Sequence, residues 1–199
     1  MDIPPADLAI LAIQAKYCLP AVEVLIRDKG TRAFIIISAG FSEAGEEGRK
    51  MEKDIAGLIA SEGATLIGPN CIGVITQSYS GIFTSPVPSL HGRGCDFVSG
   101  SGATAVFIFE SAIPKGVKFA SVFSVGNSAQ TGVEEVLEYW DNTFDPEKSS
   151  LIKLIYAESI QNPDKLRHHA SSLIRKGCRI AAIKAGTTEA GIRAASSHT

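Results

Sequence analysis

Ser99, Gly100, Ser101, Gly102, Ala103 and Thr104 form a Gly/Ser run between a short strand-like stretch at 96–98 and an apolar helical pattern. Glycine lets a backbone turn tightly and come close to a ligand. A helix starting there aims unpaired N–H groups and the positive end of its dipole at the turn. The run is therefore either an anion cradle or a structural strand–helix connection. It is not a P-loop, because GxxxxGK[ST] is absent. Gly126 and Asn127 form a similar turn after the apolar stretch 119–125, and Glu158 ends the apolar stretch 151–157. His198 lies in a loop of small residues, Ala194, Ala195, Ser196, Ser197 and Thr199 around it. An imidazole titrates near neutral pH and is a competent nucleophile. His91 falls in a Pro/Gly stretch, and His168 and His169 read as the solvated face of a polar helix.

Ser101, Glu158 and His198 also run in the order of an α/β-hydrolase triad. The residues around Ser101 lack the GxSxG elbow, so hydrolysis stays a competing reading. The cysteines Cys18, Cys71, Cys95 and Cys178 are scattered, without CxxC pairs or Cys/His zinc spacing, and read as buried free thiols in a reducing compartment.

These residues need a scaffold. The chain has 199 residues, room for one or two domains. Lys and Arg number 19 against 21 Asp and Glu, a net charge of -2, which argues against a general nucleic-acid or anionic-membrane surface. A hydrophobic fraction of 45% supports a packed core. The apolar runs 8–13 and 33–37 are far short of the roughly 20 residues of a membrane helix. Strands at 8–13, 34–37 and 64–67 alternate with helices at 17–29 and 47–61. After a Pro/Gly/Ser-rich stretch at 77–93, strands at 96–98, 119–125, 151–157 and 179–184 alternate with helices at 103–113, 133–139 and 164–176. Fully apolar strands alternating with amphipathic helices predict α/β architecture: two doubly wound parallel sheets, with ligands at the carboxyl ends of the strands. The first series lacks an opening strand, Gly-rich turn and helix, and the second stops in a polar loop, so a fragment of a larger protein is expected.

Several segments resemble one family. Ile67, Gly68, Pro69, Asn70, Cys71, Ile72, Gly73, Val74 and Ile75 resemble the GPN(C/T)xGVI segment of the CoA-binding domain in the succinyl-CoA synthetase superfamily. Phe97 through Ala103 resembles the SxSG turn opening its ligase domain. Ser124, Val125, Gly126 and Asn127 resemble the SVGN turn of the ADP-forming acetate–CoA ligase branch. Ile183, Lys184, Ala185 and Gly186, with the segment around His198, resemble its KxG…AAxSHT(G) segment. The resemblance covers nearly the whole chain in the family's order. Gly100 stands where the family usually has a larger residue, and Ser128, Ala129 and Gln130 replace the frequent Lys-Ala-Asp.

The resemblance implies the later part of a Rossmann-like CoA-binding domain over 1–76, a linker over 77–92 and a flavodoxin-like ligase domain over 93–199. It implies an acid–CoA ligase that interconverts acyl-CoA, ADP and phosphate with acid, CoA and ATP through an acyl phosphate and a phosphohistidine. His198 would be the phosphoryl carrier and Glu158 would hold its imidazole. Ser99, Gly100, Ser101, Gly102, Ala103, Gly126 and Asn127 would bind phosphate; Ser38, Ala39, Gly40, Phe41, Pro69 and Asn70 would bind coenzyme A. ATP or ADP, with Mg, would sit on an ATP-grasp domain or beta subunit outside this chain. The chain alone would be inactive, and the complete protein a cytoplasmic oligomer acting on a small organic acid, with no metal site of its own. A CoA-binding regulatory module without catalysis is the alternative.

Overall fold

The computed structural model describes residues 3–186; the segment around His198 lies outside the described residues. The first series builds a parallel three-stranded sheet, β1 (Leu8–Leu11), β2 (Ala33–Ile36) and β3 (Thr65–Ile67), in that order. Helices α1 (Cys18–Lys29) and α2 (Glu46–Ser61) cover one face. Phe34, Ile36 and Leu66 of the strands meet Val22, Ile26, Ile55 and Ile59 of the helices there.

The second series contains β4 (Gly73–Ile75), β5 (Ser80–Ile82), β6 (Leu90–Ser99), α3 (Gly102–Ala112), β7 (Phe119–Ser124), α4 (Val133–Asn142), β8 (Ile152–Ala157), α5 (Pro163–Arg175) and β9 (Arg179–Lys184). Its six-stranded sheet runs β5-β4-β7-β6-β8-β9. β6, β7, β8 and β9 are parallel, whereas β4 is antiparallel to both β5 and β7. The sheet is thus mixed rather than wholly parallel, and the chain changes sheets between Ile67 and Gly73. The linker expected over 77–92 contains β5 and the start of β6. Strands of three residues each, with Gly73 and Gly81 inside them, carry too little apolar pattern to stand out.

Phe97, Phe119 and Val122 pack on one face against Phe109 of α3, and Val98, Phe123 and Ile155 pack on the other against α4 and α5 through Leu137, Trp140 and Leu173. Ile35 of the first sheet joins that second cluster beside Val74, so the two series share a core. Inside it lies a polar row: Ser121 donates to Asp96 Oδ1 at 2.6 Å, and Lys153 pairs with Asp96 Oδ2. These residues are register partners across β7, β6 and β8. The ammonium also lies 5.3 Å from the Trp140 ring centroid.

A buried charge left without its partner is costly, whereas replacing both partners by apolar groups need not be. Lys153→Ala should lower the urea unfolding free energy by about 3–5 kcal/mol. Asp96→Leu combined with Lys153→Met should cost much less. Equal losses in the single and double variants would show that the pair does not govern this layer.

Candidate functional site

Parallel register aligns the carboxyl ends of the strands. Ser99 lies opposite Ser124 on one side and Tyr156 on the other, and Ala157 lies opposite Lys184. The edge therefore gathers Ser99, Gly100, Ser101, Gly102 and Ala103, then Gly126 and Asn127, then Glu158. The chain leaves β9 from the same edge, where Ala185 N–H donates to the Ala157 carbonyl at 2.9 Å.

The turn before α3 is tied by its own side chains. The buried Ser99 hydroxyl donates to the Ser101 carbonyl at 2.7 Å and accepts from Ser101 N–H at 3.1 Å. Gly100 N–H goes to the Tyr156 carbonyl at 2.9 Å. Ser101 Oγ caps the helix by accepting from Thr104 N–H at 3.3 Å, so the hydroxyl that the hydrolase reading needs is engaged as a cap. Gly102 and Ala103 remain, first-turn residues whose N–H groups make no hydrogen bond among the described residues. No acidic side chain lies in that turn. Two free N–H groups and a helix dipole with no competing carboxylate suit an anion. Gly100 abuts Glu158: a Cβ there would lie 3.3 Å from the Glu158 nitrogen. A Cβ on Gly102 would come within 2.9 Å of Ile72 Cγ2, because residues 68–72 cross over this turn. Ile72 N–H donates to Ser124 Oγ at 3.1 Å.

Gly126 and Asn127 sit differently. Gly126 has φ +54°, and a Cβ there would strike the Pro69 carbonyl oxygen at 2.1 Å. Asn127 N–H donates to that carbonyl at 3.0 Å. Asn127 Nδ2 donates to Glu43 Oε2 at 2.5 Å and Glu52 Oε2 at 2.8 Å, with Ser42 Oγ at 3.1 Å. The turn expected to hold phosphate is instead bonded to α2 and to the loops of the first series, and the carboxylates around it would repel an anion.

Among the residues expected to bind coenzyme A, Phe41 is fully buried and Pro69 is buried, so both are core rather than contact surface. The N–H groups of Gly40 and Phe41 donate to Glu43 Oε1 at 2.5 and 3.1 Å, so an internal carboxylate already fills this turn. Burial works to raise the Glu43 pKa, but hydrogen bonds from Asn127 and the backbone outweigh it and hold the carboxyl below its ordinary range. Ser38, Ala39 and Gly40 retain solvent access beside Asn70, whose N–H donates to the Ser38 carbonyl at 2.9 Å.

Glu158 is half-buried, and its carbonyl accepts from Lys184 Nζ at 2.8 Å. The loop after it is held by Glu134, nearly fully buried on α4, whose Oε1 accepts from Gln161 and Asn162 N–H, each at 2.8 Å. Sequence reasoning missed Glu134, since an acid in a helix's first turn reads as ordinary dipole complementation. His168 is exposed, but His169 is not on a solvated face: its Nδ1 lies 2.8 Å from buried Asp141 Oδ2. Ser172 and Lys176 donate to Asp141 Oδ1 at 2.8 and 2.7 Å, locking α5 to α4. Burial alone would raise the Asp141 pKa; the bonds from Lys176, His169 and Ser172 overcome it and hold it down to about 2. The four cysteines are buried free thiols, as expected. Among the described residues no cluster fits a metal ion, and no helix is long and apolar enough to cross a membrane.

Residues 92–199 match the family described as "Succinyl-CoA ligase like flavodoxin domain". The ADP-forming acetate–CoA ligase I of Archaeoglobus fulgidus is 37% identical over 194 residues, covering 97% of this chain and 27% of that protein. Subunit alpha of the ADP-forming acetate–CoA ligase II of Pyrococcus furiosus is 31% identical over 199 residues, covering 100% of this chain and 42% of the subunit. This chain therefore spans well under half the length of either relative. Among solved structures, the dinucleotide-forming acetyl-coenzyme A synthetase 1 of Ca. Korarchaeum cryptofilum, in complex with phosphate and ADP, superposes with a TM-score of 0.81 at 28% identity. That match covers 99% of this chain and 41% of the synthetase.

Two measurements check this geometry. Sulfate or phosphate titration should show modest weakening in Ser101→Ala, which also loses about 1 kcal/mol of helix capping. Gly102→Val should abolish binding by driving a side chain into Ile72; wild-type affinity in both variants would remove the cradle. For Asp141, a folded-state pKa of about 2 against an ordinary 3.8 means stability that is full above about pH 4 and lost as pH falls toward 2. Asp141→Asn should cost about 1–2 kcal/mol at pH 7, with the gap narrowing below pH 4. A gap that is constant with pH would contradict this assignment.

Proposed function

The chain belongs to the family of succinyl-CoA-ligase-like flavodoxin domains, and from that premise we propose that it is the CoA- and phosphate-handling part of an ADP-forming acid–CoA ligase. The observation that carries the reading is the shared strand-end edge. The free N–H groups of Gly102 and Ala103, Glu158, and the exit of the chain toward His198 all lie there. Phosphate at the start of α3 would attack the thioester carbonyl carbon of an acyl-CoA; the carbon–sulfur bond breaks and CoA leaves as thiolate. An imidazole nitrogen of His198 then attacks the phosphorus of the acyl phosphate and the carboxylate of the free acid departs. The phosphohistidine passes its phosphoryl group to ADP, bound with Mg on an ATP-grasp domain or beta subunit.

Electrostatics supports each role. The developing negative charge on the transferring group meets backbone N–H groups and a helix N-terminus, which cost no reorganisation. A carboxylate at Glu158 would fix the imidazole tautomer and stabilise its positive charge. The fourteen residues from Ala185 to His198 are a length of chain sufficient to bring His198 to this edge. Coenzyme A would lie along Ser38, Ala39, Gly40 and Asn70. Because Glu43 occupies the Gly40 and Phe41 N–H groups, this turn fits the uncharged part of the CoA chain better than its phosphates.

The test uses the full-length protein with its ATP-grasp partner and ATP labelled at the γ-phosphate. An acid-labile, base-stable label should form on His198, mapped by mass spectrometry, and vanish with turnover in His198→Ala. Glu158→Gln should slow labelling by about 10²-fold while the fold persists. Undiminished labelling of His198→Ala would overturn the carrier assignment. A regulatory module would take no label, and a hydrolase would instead react at Ser101 with an organophosphate.

A further inference from the structure

We infer that Asn127 is a positioning residue that sets the CoA-side turn against the phosphate turn, and that it is not an anion ligand; the inference rests on the ligase reading above. Its hydrogen-bonding capacity is already spent. Its amide nitrogen has two hydrogens, and Glu43 and Glu52 stand ready to accept them, at 2.5 and 2.8 Å. Ser42 Oγ, also close, is itself a donor to Glu52 Oε2 at 2.8 Å. Asn127 Oδ1 accepts from Asn70 Nδ2 at 3.3 Å, and its backbone N–H is taken by Pro69. No donor remains for a phosphate oxygen.

The bonds form a relay. Asn127 holds one oxygen of Glu43, and the other oxygen of Glu43 holds the N–H groups of Gly40 and Phe41. Ser42 is held in parallel through Glu52, which accepts from both its N–H and its hydroxyl. The turn after β7 thus reaches the turn after β2 through two carboxylates. The titratable groups that meet Asn127 are Glu43, within the short 3-10 turn Ser42–Ala44, and Glu52 of α2; the Pro69 and Asn70 turn brings none. A neutral amide is the group that lets two carboxylates converge without a cation. The sheets have a separate tie: Gln130 accepts from Leu66 N–H at 2.5 Å and donates to the Ala64 carbonyl at 3.1 Å. Losing Asn127 therefore loosens the relay without unhooking the sheets.

The experiment compares Asn127→Ala and Asn127→Asp with wild type in the full-length ligase, using CoA, inorganic phosphate and labelled ATP as probes. KM for CoA should rise at least 10-fold in Asn127→Ala, with kcat at saturating CoA, KM for phosphate and the CoA-independent labelling of histidine within about 2-fold of wild type. Asn127→Asp, an isosteric change that adds a third carboxylate, should show the same defect at pH 8. It should recover toward wild type, relative to wild type at the same pH, as the pH is lowered and the introduced carboxyl takes up a proton and regains a donor; the alanine variant should not recover. A rise in KM for phosphate with CoA unaffected would make Asn127 an anion ligand and overturn the inference, as would no change in any constant. Absence of both labelling and CoA turnover in wild type would overturn the ligase reading itself, and the positioning role with it.

Discussion

The close passage of residues 68–72 over the carboxyl edge of the second sheet is the constraint on which the rest depends. This segment must leave a parallel sheet, cross two turns and enter an antiparallel hairpin within a few residues. The crossing is possible because Gly126 and Gly102 have no side chains: one lies under the carbonyls of Pro69 and Asn70, the other under Ile72. Contacts this tight leave no room to slide, so the Gly102 turn and the Asn70 turn keep a fixed relation. Each hydrogen bond across the passage contributes only about 1 kcal/mol net. These bonds share acceptors in a half-buried interface, so breaking one leaves its partner less well satisfied and makes them act together.

The second sheet is held in register by charge buried where it is matched. Asp96 bridges Ser121 and Lys153 across three strands. A one-residue slip of β8 would move Lys153 to the opposite face, into the aromatic cluster of Phe97, Phe109 and Phe119. Register in the sheet interior then decides where the strands end, and hence which backbone groups share the edge. Glu134 and Asp141 do the corresponding work on α4, one gripping the loop after Glu158 and the other gripping α5. The loop that follows Glu158 is thus held by a carboxylate on a neighbouring helix.

Much of this was legible in the sequence. The strand–helix alternation, the stop of α1 at Gly30 and the gathering of Ser99 to Ala103, Gly126 and Glu158 at one edge follow from local pattern and the parallel-sheet rule. β4 and β5 were not legible, because three-residue strands containing glycine owe their place to partners, β4 to β7 and β5 to β4, rather than to their own propensity. His169 looked solvated because Asp141 is 28 residues away. The roles of Phe41 and Asn127 were hidden for the same reason, since Glu52 and Glu43 reach Asn127 across 75 and 84 residues. Periodicity reports which face of an element is apolar, but it carries no information about which polar partner arrives from elsewhere.

Two Gly-containing turns at one strand-end edge look interchangeable by spacing, and electrostatics separates them. The turn at Gly102 opens a helix of eleven residues, exposes two N–H groups and has no acid in its first turn. The turn at Gly126 is followed by a residue whose amide is clasped by two carboxylates. An approaching phosphate meets a partial positive charge at the first and negative charge at the second, and at separations of about 4 Å near a protein surface such differences amount to several kcal/mol. Tight backbone geometry is therefore necessary for an anion site and insufficient for one. In this fold the same glycine device leaves an open helix N-terminus in one place and serves an inter-sheet joint in the other, and the charged side chains that fold onto each turn set the two apart.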